Sequence, residues 1–230
     1  MTSPDPFTHD GLVARTEEYV RERMAGDSTG HDFWHALRVC NMALRLGRAE
    51  GLNEAELETV EIAALLHDVE DEKFSGSPSA GPDAAQAFLL SQGRDRIFAE
   101  AVADIIARIS FHGGGVEDSP LSLAGQCVRD ADRLDAMGAI GIARAFAYGG
   151  HAGRPIHDPN IAPMLAKSKD AYRANGGSTI SHFYEKLLLL RDRMSTASGR
   201  ALAQERHQVM ANFLAHFGAE WRGKDGEDRP

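Results

Sequence analysis

The sequence predicts an all-α protein, a single-domain helical bundle. Apolar residues recur at three- and four-residue spacing through nearly every segment. Gly and the capping residues Ser, Thr and Asn fall where such helices would end and begin. No segment alternates polar and apolar residues as a strand would. The 230 residues fit one large domain without a linker, over 1–222, with 223–230 as a polar, disordered tail. A chain of this length buries roughly 70–75% of its unfolded surface.

The elements follow in order. An amphipathic helix over about 9–25 stops at Gly26. Ser28-Thr29-Gly30 supply a turn with capping residues before a helix over about 31–50, closed by Gly51. Asn53 caps a third helix, about 54–72, whose Ile62-Ala63-Ala64-Leu65-Leu66 run is apolar on all sides and belongs at the centre. Gly76-Ser77-Pro78 and Gly81-Pro82 mark a loop, and helices follow at about 83–92, 95–111 and 119–147. The Gly- and Pro-rich stretch 148–178 reads as a long irregular excursion with one short helix near 162–174, the kind of loop that serves as a lid. Helices over about 179–195 and 199–221 complete the chain. In the first, Ile180, Phe183, Leu187, Leu190 and Met194 make one buried stripe.

The net charge of −9 argues against nucleic acid or an anionic membrane as partner, because no large basic surface is available. An anionic small substrate stays compatible, since a bound metal inverts the local field. Cys40 and Cys127 sit in helical apolar patterns and read as buried free thiols. The segment from Met1 to Phe7 lacks a signal-peptide pattern, and no apolar run approaches the ~18 residues of a membrane span. The expected location is cytoplasmic.

The chemistry gathers at His67-Asp68, at the end of the apolar third helix. Burying Asp68 there without a cation would be expensive. Upstream, His35, Val39, Met42 and Leu46 form a line that points His35 inward; taken alone, it also reads as a hydrogen-bonded core residue. Arg38, Asn41, Arg45 and Arg48 form a separate face that reads as solvent-exposed. Downstream, Leu123, Cys127, Ala131 and Leu134 make a buried stripe flanked by Asp132, which shares a face with Asp135; Asp130 lies farther round. Helical geometry leaves open which carboxylate binds. Two imidazoles and two carboxylates suit one divalent metal. His31 and His35 imitate a helical zinc pair, but no metalloprotease Glu accompanies them, and Gly138-Ala139-Ile140-Gly141 reads as close packing rather than a phosphate loop.

The ordered set His35, His67-Asp68 and Asp132, with its context Gly30-His31-Asp32-Phe33-Trp34-His35 and Asp130-Ala131-Asp132-Arg133-Leu134-Asp135, resembles the HD-domain metal-dependent phosphohydrolases. Gly138 to Phe146 and His182 to Leu187 look like the small, single-domain bacterial branch, similar to nucleoside triphosphate pyrophosphohydrolases. The resemblance covers about 28–221. It implies a helical bundle, the metal ligands His35, His67, Asp68 and Asp132 (deciding for Asp132 over Asp130), and Asp71 as the acid that orients or activates water. It implies hydrolysis of phosphate esters or anhydrides, with a nucleotide as the expected substrate and one divalent ion as cofactor, Mn²⁺ before Mg²⁺, Ni²⁺, Fe²⁺ or Co²⁺. Lys73 joins Asp71 as a catalytic candidate; Arg133, Arg144, Lys186 and His112 are candidates for binding substrate. Two-metal relatives, including diiron oxygenases, add two His between the doublet and the last Asp; here His112 alone lies between, which favours one metal. A diiron oxygenase and a non-catalytic nucleotide sensor are the competing readings.

Overall fold

Asp32 opens the helix that carries the first candidate ligand: its carboxylate accepts the His35 backbone N–H at 2.9 Å. In the computed structural model, which describes residues 9–26, 30–70, 77, 79–110, 117–164 and 177–224, that helix is α2 (Phe33–Ala49), preceded by α1 (His9–Arg23). Then come α3 (Glu54–Leu66), α4 (Ala80–Ser91), α5 (Arg96–Arg108), α6 (Leu123–Asp135), α7 (Gly138–His151), α8 (Thr179–Glu185), a 3-10 helix (Leu187–Arg193) and α9 (Ala197–Trp221). The fold is all-α, with no strand among the described residues. No helix of the described residues is long and apolar enough to cross a membrane.

Side-chain caps fix the helix starts. Asn53 and Glu56 form a reciprocal capping box on α3. Asp95, Ser122, Ser178 and Thr196 cap α5, α6, α8 and α9, each worth about 1 kcal/mol.

The central layer is α2, packed against α3 on one side and α6 on the other. All of Ile62 to Leu66 is fully buried, as its all-round apolarity predicts. The α4–α5 hairpin leans on α3 through α5, α1 crosses α3, and α9 closes over α6 and α7. Both cysteines are free and buried.

Several boundaries differ from the sequence-based expectation. The third helix stops at Leu66, six residues before the expected end; the chain turns over 67–70, and Glu70 takes a left-handed φ of 55°. Its carboxylate is held by Arg23 at 2.8 Å. The helix expected over 119–147 is two helices. They break at Ala136–Met137, where Gly138 adopts φ +68°, a conformation that strains any residue with a Cβ. Gly141 then sits so near the Ala136 carbonyl that a Cβ would collide, which fits the close-packing reading of this segment.

The helix expected over 179–195 ends at Glu185 and continues as a 3-10 helix. Three residues per turn keep Leu187 and Leu190 on one face, so the stripe from Ile180 to Met194 stays buried despite the change of helix type. In the α6 stripe, Leu123, the first residue of the helix, is 39% exposed rather than buried. α7 runs to His151, so the irregular stretch starts later than expected; 162–164 are not helical, and the rest of the expected short helix lies outside the described residues. The stretch is tied to α8 where Pro155 and Ile156 carbonyls accept the N–H groups of Thr179 and Ile180.

Candidate metal centre

Two imidazoles define the centre. His67, at the C-cap of α3, donates Nδ1–H to the Ala64 carbonyl at 2.8 Å. A carbonyl only accepts, so the proton sits on Nδ1 and the Nε2 lone pair faces inward. His35 is fully buried on α2, and its Nδ1 lies 2.7 Å from Asp135 Oδ2. That carboxylate fixes the same tautomer. The two Nε2 atoms then face each other at 3.1 Å. Two inward lone pairs at this distance call for a proton or a cation between them.

Carboxylates from two further turns complete the set. Asp68 Oδ2 is 3.2 Å from His35 Nε2, and its Oδ1 is 3.5 Å from His67 Nε2. Asp132 Oδ1, from α6, lies 3.6 Å and 3.7 Å from the same two nitrogens. The donor atoms of His35, His67 and Asp132 fall within 4.8 Å of one another, as do those of His31, His35 and Asp68. Metal–ligand bonds of about 2.0–2.2 Å place neighbouring ligands about 3 Å apart, so the donors fit around one ion. Two carboxylates with two neutral imidazoles match the charge of a divalent cation.

The electrostatics agree. Burial alone would lower the His67 pKa, but the Asp68 and Asp132 carboxylates reverse this and push it up to about 9. Burial would raise Asp132, but the hydrogen bond and charge of His67, with His35, hold it well below the usual range. Asp68 is held down likewise, against its burial, by His67, His31 and His35. The group thus draws positive charge inward. Asp135 is also depressed against burial, by His35, Arg38 and Arg144.

The structure brings His35, His67, Asp68 and Asp132 together from α2, the α3 exit and α6. Asp130 is elsewhere: its buried carboxylate accepts the Ser195 and Thr196 N–H groups and the Thr196 hydroxyl, organising the start of α9. Arg144 lies beside the centre, donating to Asp135 at 2.8 Å. Arg133 contacts Asp118 and Arg193. Its buried guanidinium grips Asp118 through two N–H groups and the Arg193 carbonyl at 2.6 Å, which ties the 117–122 segment to the 3-10 helix. Lys186 is the C-cap of α8, close to His182, whose pKa falls to about 3 through burial and then the charges of Lys186 and Arg154. Asp71, Lys73 and His112 lie outside the described residues.

Two neighbours escaped the sequence reading. His31 Nδ1 lies 2.9 Å from Asp68 Oδ2; its four-residue spacing from His35 is the sequence signal that points to it. Arg38, expected to face solvent, reaches back to Asp135 through two N–H groups. Its long stem defeats a face assignment made from Cα positions. Trp34, adjacent to His35 and on the Arg38 face of α2, is 61% exposed.

The HD domain model matches residues 33–137, a span that holds all four candidate ligands. The uncharacterized protein YpgQ of Bacillus subtilis is 36% identical over 210 residues, 91% of this chain and 93% of its own. The chain belongs to the HD-domain family. A Lactobacillus plantarum crystal structure superposes with a TM-score of 0.81 at 40% identity, covering 92% of this chain and 97% of that one. An HD-superfamily hydrolase from Bacillus thuringiensis superposes with a TM-score of 0.71 at 38% identity, covering 94% and 99%. YpgQ crystallised with ADP superposes with a TM-score of 0.72 at 31% identity, covering 92% and 96%. As an HD-domain protein, the chain is a metal-dependent hydrolase.

Proposed function

We propose that this HD-domain hydrolase cleaves a phosphate ester or anhydride bond of a small phosphorylated molecule, a nucleotide first, with nucleoside triphosphate pyrophosphohydrolysis as the leading form. The observation that carries the reading is the convergence of two inward Nε2 lone pairs and two ionised carboxylates, with the Arg144 cation beside them. The ADP-bound structure of YpgQ supports a nucleotide.

His35, His67, Asp68 and Asp132 hold one divalent ion, Mn²⁺ by preference. When bound, such an ion lowers the pKa of a water and offsets charge building on phosphorus. Asp135 and the Ala64 carbonyl keep the two imidazoles in the tautomer that ligation needs. Asp71 orients the attacking water or accepts its proton. Lys73, Arg133, Arg144, Lys186 and His112 meet the phosphate charge.

The test is a hydrolysis screen of metal-stripped protein resupplied with Mn²⁺, Mg²⁺, Ni²⁺ or Fe²⁺. Nucleoside mono-, di- and triphosphates are offered, with phosphate and pyrophosphate assayed separately. Metal-dependent release is the expected result, and the species released identifies the bond cut. No release with any metal, alongside tightly bound iron, would overturn the reading in favour of redox chemistry or sensing.

A further inference from the structure

Several cationic side chains converge on Asp135 beside the metal centre. Asp135 accepts two N–H groups of Arg38 at 2.8 and 3.0 Å, one of Arg144 at 2.8 Å and the His35 Nδ1–H at 2.7 Å. Arg206, which donates to the Leu134 carbonyl, adds its field to the same carboxylate. Asp32 also acts on Arg38. Three guanidinium groups thus gather on the one Asp135 carboxylate, in a chain whose net charge is −9.

The donor geometry points the same way. Arg144 Nη2 lies 3.5 Å from His31 Nδ1. That ring nitrogen is 2.9 Å from Asp68 Oδ2, an ionised oxygen that only accepts. His31 Nδ1 therefore carries a proton and has no lone pair for Arg144. Among the described residues, this Arg N–H thus points at another donor rather than an acceptor, on a side chain only 14% exposed. Arg144 is held in this pose from behind, where its Cγ comes within 3.1 Å of the place a Cβ on Gly30 would occupy. Arg38 engages Asp135 through Nε and Nη2, and its side chain remains 38% exposed, reachable from solvent.

We infer that Arg38 and Arg144 form an anion subsite hinged on Asp135, which takes the oxygens of a phosphate group other than the one attacked. The subsite deepens the phosphohydrolase reading and rests on it. Arg144 supplies Nη2, Arg38 supplies its outer N–H groups, and Asp135 holds both guanidinium planes while keeping His35 in register. Fork-shaped donors suit phosphate oxygens better than a lysine would.

The test needs no turnover, so its failure is separable from that of the hydrolase assignment. Inorganic pyrophosphate and inorganic phosphate are titrated into the full-length protein by calorimetry, with Mn²⁺ in excess over both. Arg38→Gln and Arg144→Gln are each expected to weaken pyrophosphate about tenfold or more, to weaken phosphate less than about threefold, and to leave Mn²⁺ affinity unchanged. Arg38→Lys should behave like Arg38→Gln, because it lacks the fork. Equal losses for both anions, no loss, or a parallel loss of Mn²⁺ binding would overturn the subsite; the last would mean that the arginines serve only to brace His35 through Asp135. Melting curves of the variants identify any that fail to fold.

Discussion

At the scale of single residues, the centre works by pairing each inward donor atom with an outward restraint. His67 has the Ala64 carbonyl behind it and His35 has Asp135. Removing a restraint should therefore loosen the metal without removing a ligand. Asp135→Asn is expected to lower Mn²⁺ affinity roughly 10- to 100-fold, read by calorimetry on the metal-stripped protein. Asp68→Ala should abolish metal retention and turnover together; full activity in a metal-free Asp68→Ala protein would sink the assignment. The four candidate ligands were legible as residue types in order along the chain. Their alignment through Asp135 was partly legible, from the shared face of Asp132 and Asp135. The contributions of Arg38 and His31 were not, since they depend on how side chains reach from α2 to α6 and from the start of α2 to the turn after α3, and periodicity reports only where a Cα sits.

At the scale of elements, the start of α9 is the joint most exposed to test. Asp130 is fully buried and accepts two backbone N–H groups and one hydroxyl from Ser195 and Thr196. Gly199 packs so closely on that carboxylate and on the Thr196 hydroxyl that a Cβ would displace one of them. Asp130→Ala should cost about 2–4 kcal/mol by leaving buried donors unmatched, and Gly199→Ala about 1–3 kcal/mol by crowding. Denaturant melts check both, and unchanged midpoints would show the joint to be slack. Helix existence was legible nearly everywhere, because amphipathic spacing and caps such as Asn53 are local signals. The break at Ala136–Met137 and the switch to 3-10 geometry after Glu185 were hidden. In the first, only one glycine marks a φ that the chain must adopt; in the second, the only buried pair inside the 3-10 helix, Leu187 and Leu190, is three apart, a spacing that shares a face at either period.

For the whole molecule, acid and alkali should act through different histidines. In the metal-free chain His67 holds its proton to about pH 9, whereas the unfolded chain releases it near 6.5. The stability His67 contributes is complete below pH 6.5 and fades as pH rises toward 9. His182 behaves oppositely, since the folded state resists its protonation down to about pH 3. Its contribution is complete above pH 6.5 and fades as pH falls. Metal-free protein is thus expected to melt highest near pH 6.5, and lower on both sides. Added Mn²⁺ replaces the proton at His67, so it should erase the alkaline decline and bind more tightly as pH rises toward 9. A melting temperature that climbs from pH 7 to 9 without metal would contradict the placement of His67. Beyond saturation, each tenfold rise in free metal should add about 1.4 kcal/mol to stability, since the ligands come together in the folded chain alone.

Trp34 makes the protein its own optical gauge. The chain has two tryptophans, and the other, Trp221, stands at the end of α9 against His157. With Trp221→Phe, emission comes from the indole next to His35, on the same helical face as Arg38. Its brightness and colour then follow what arrives at that flank, without a label or a coupled assay.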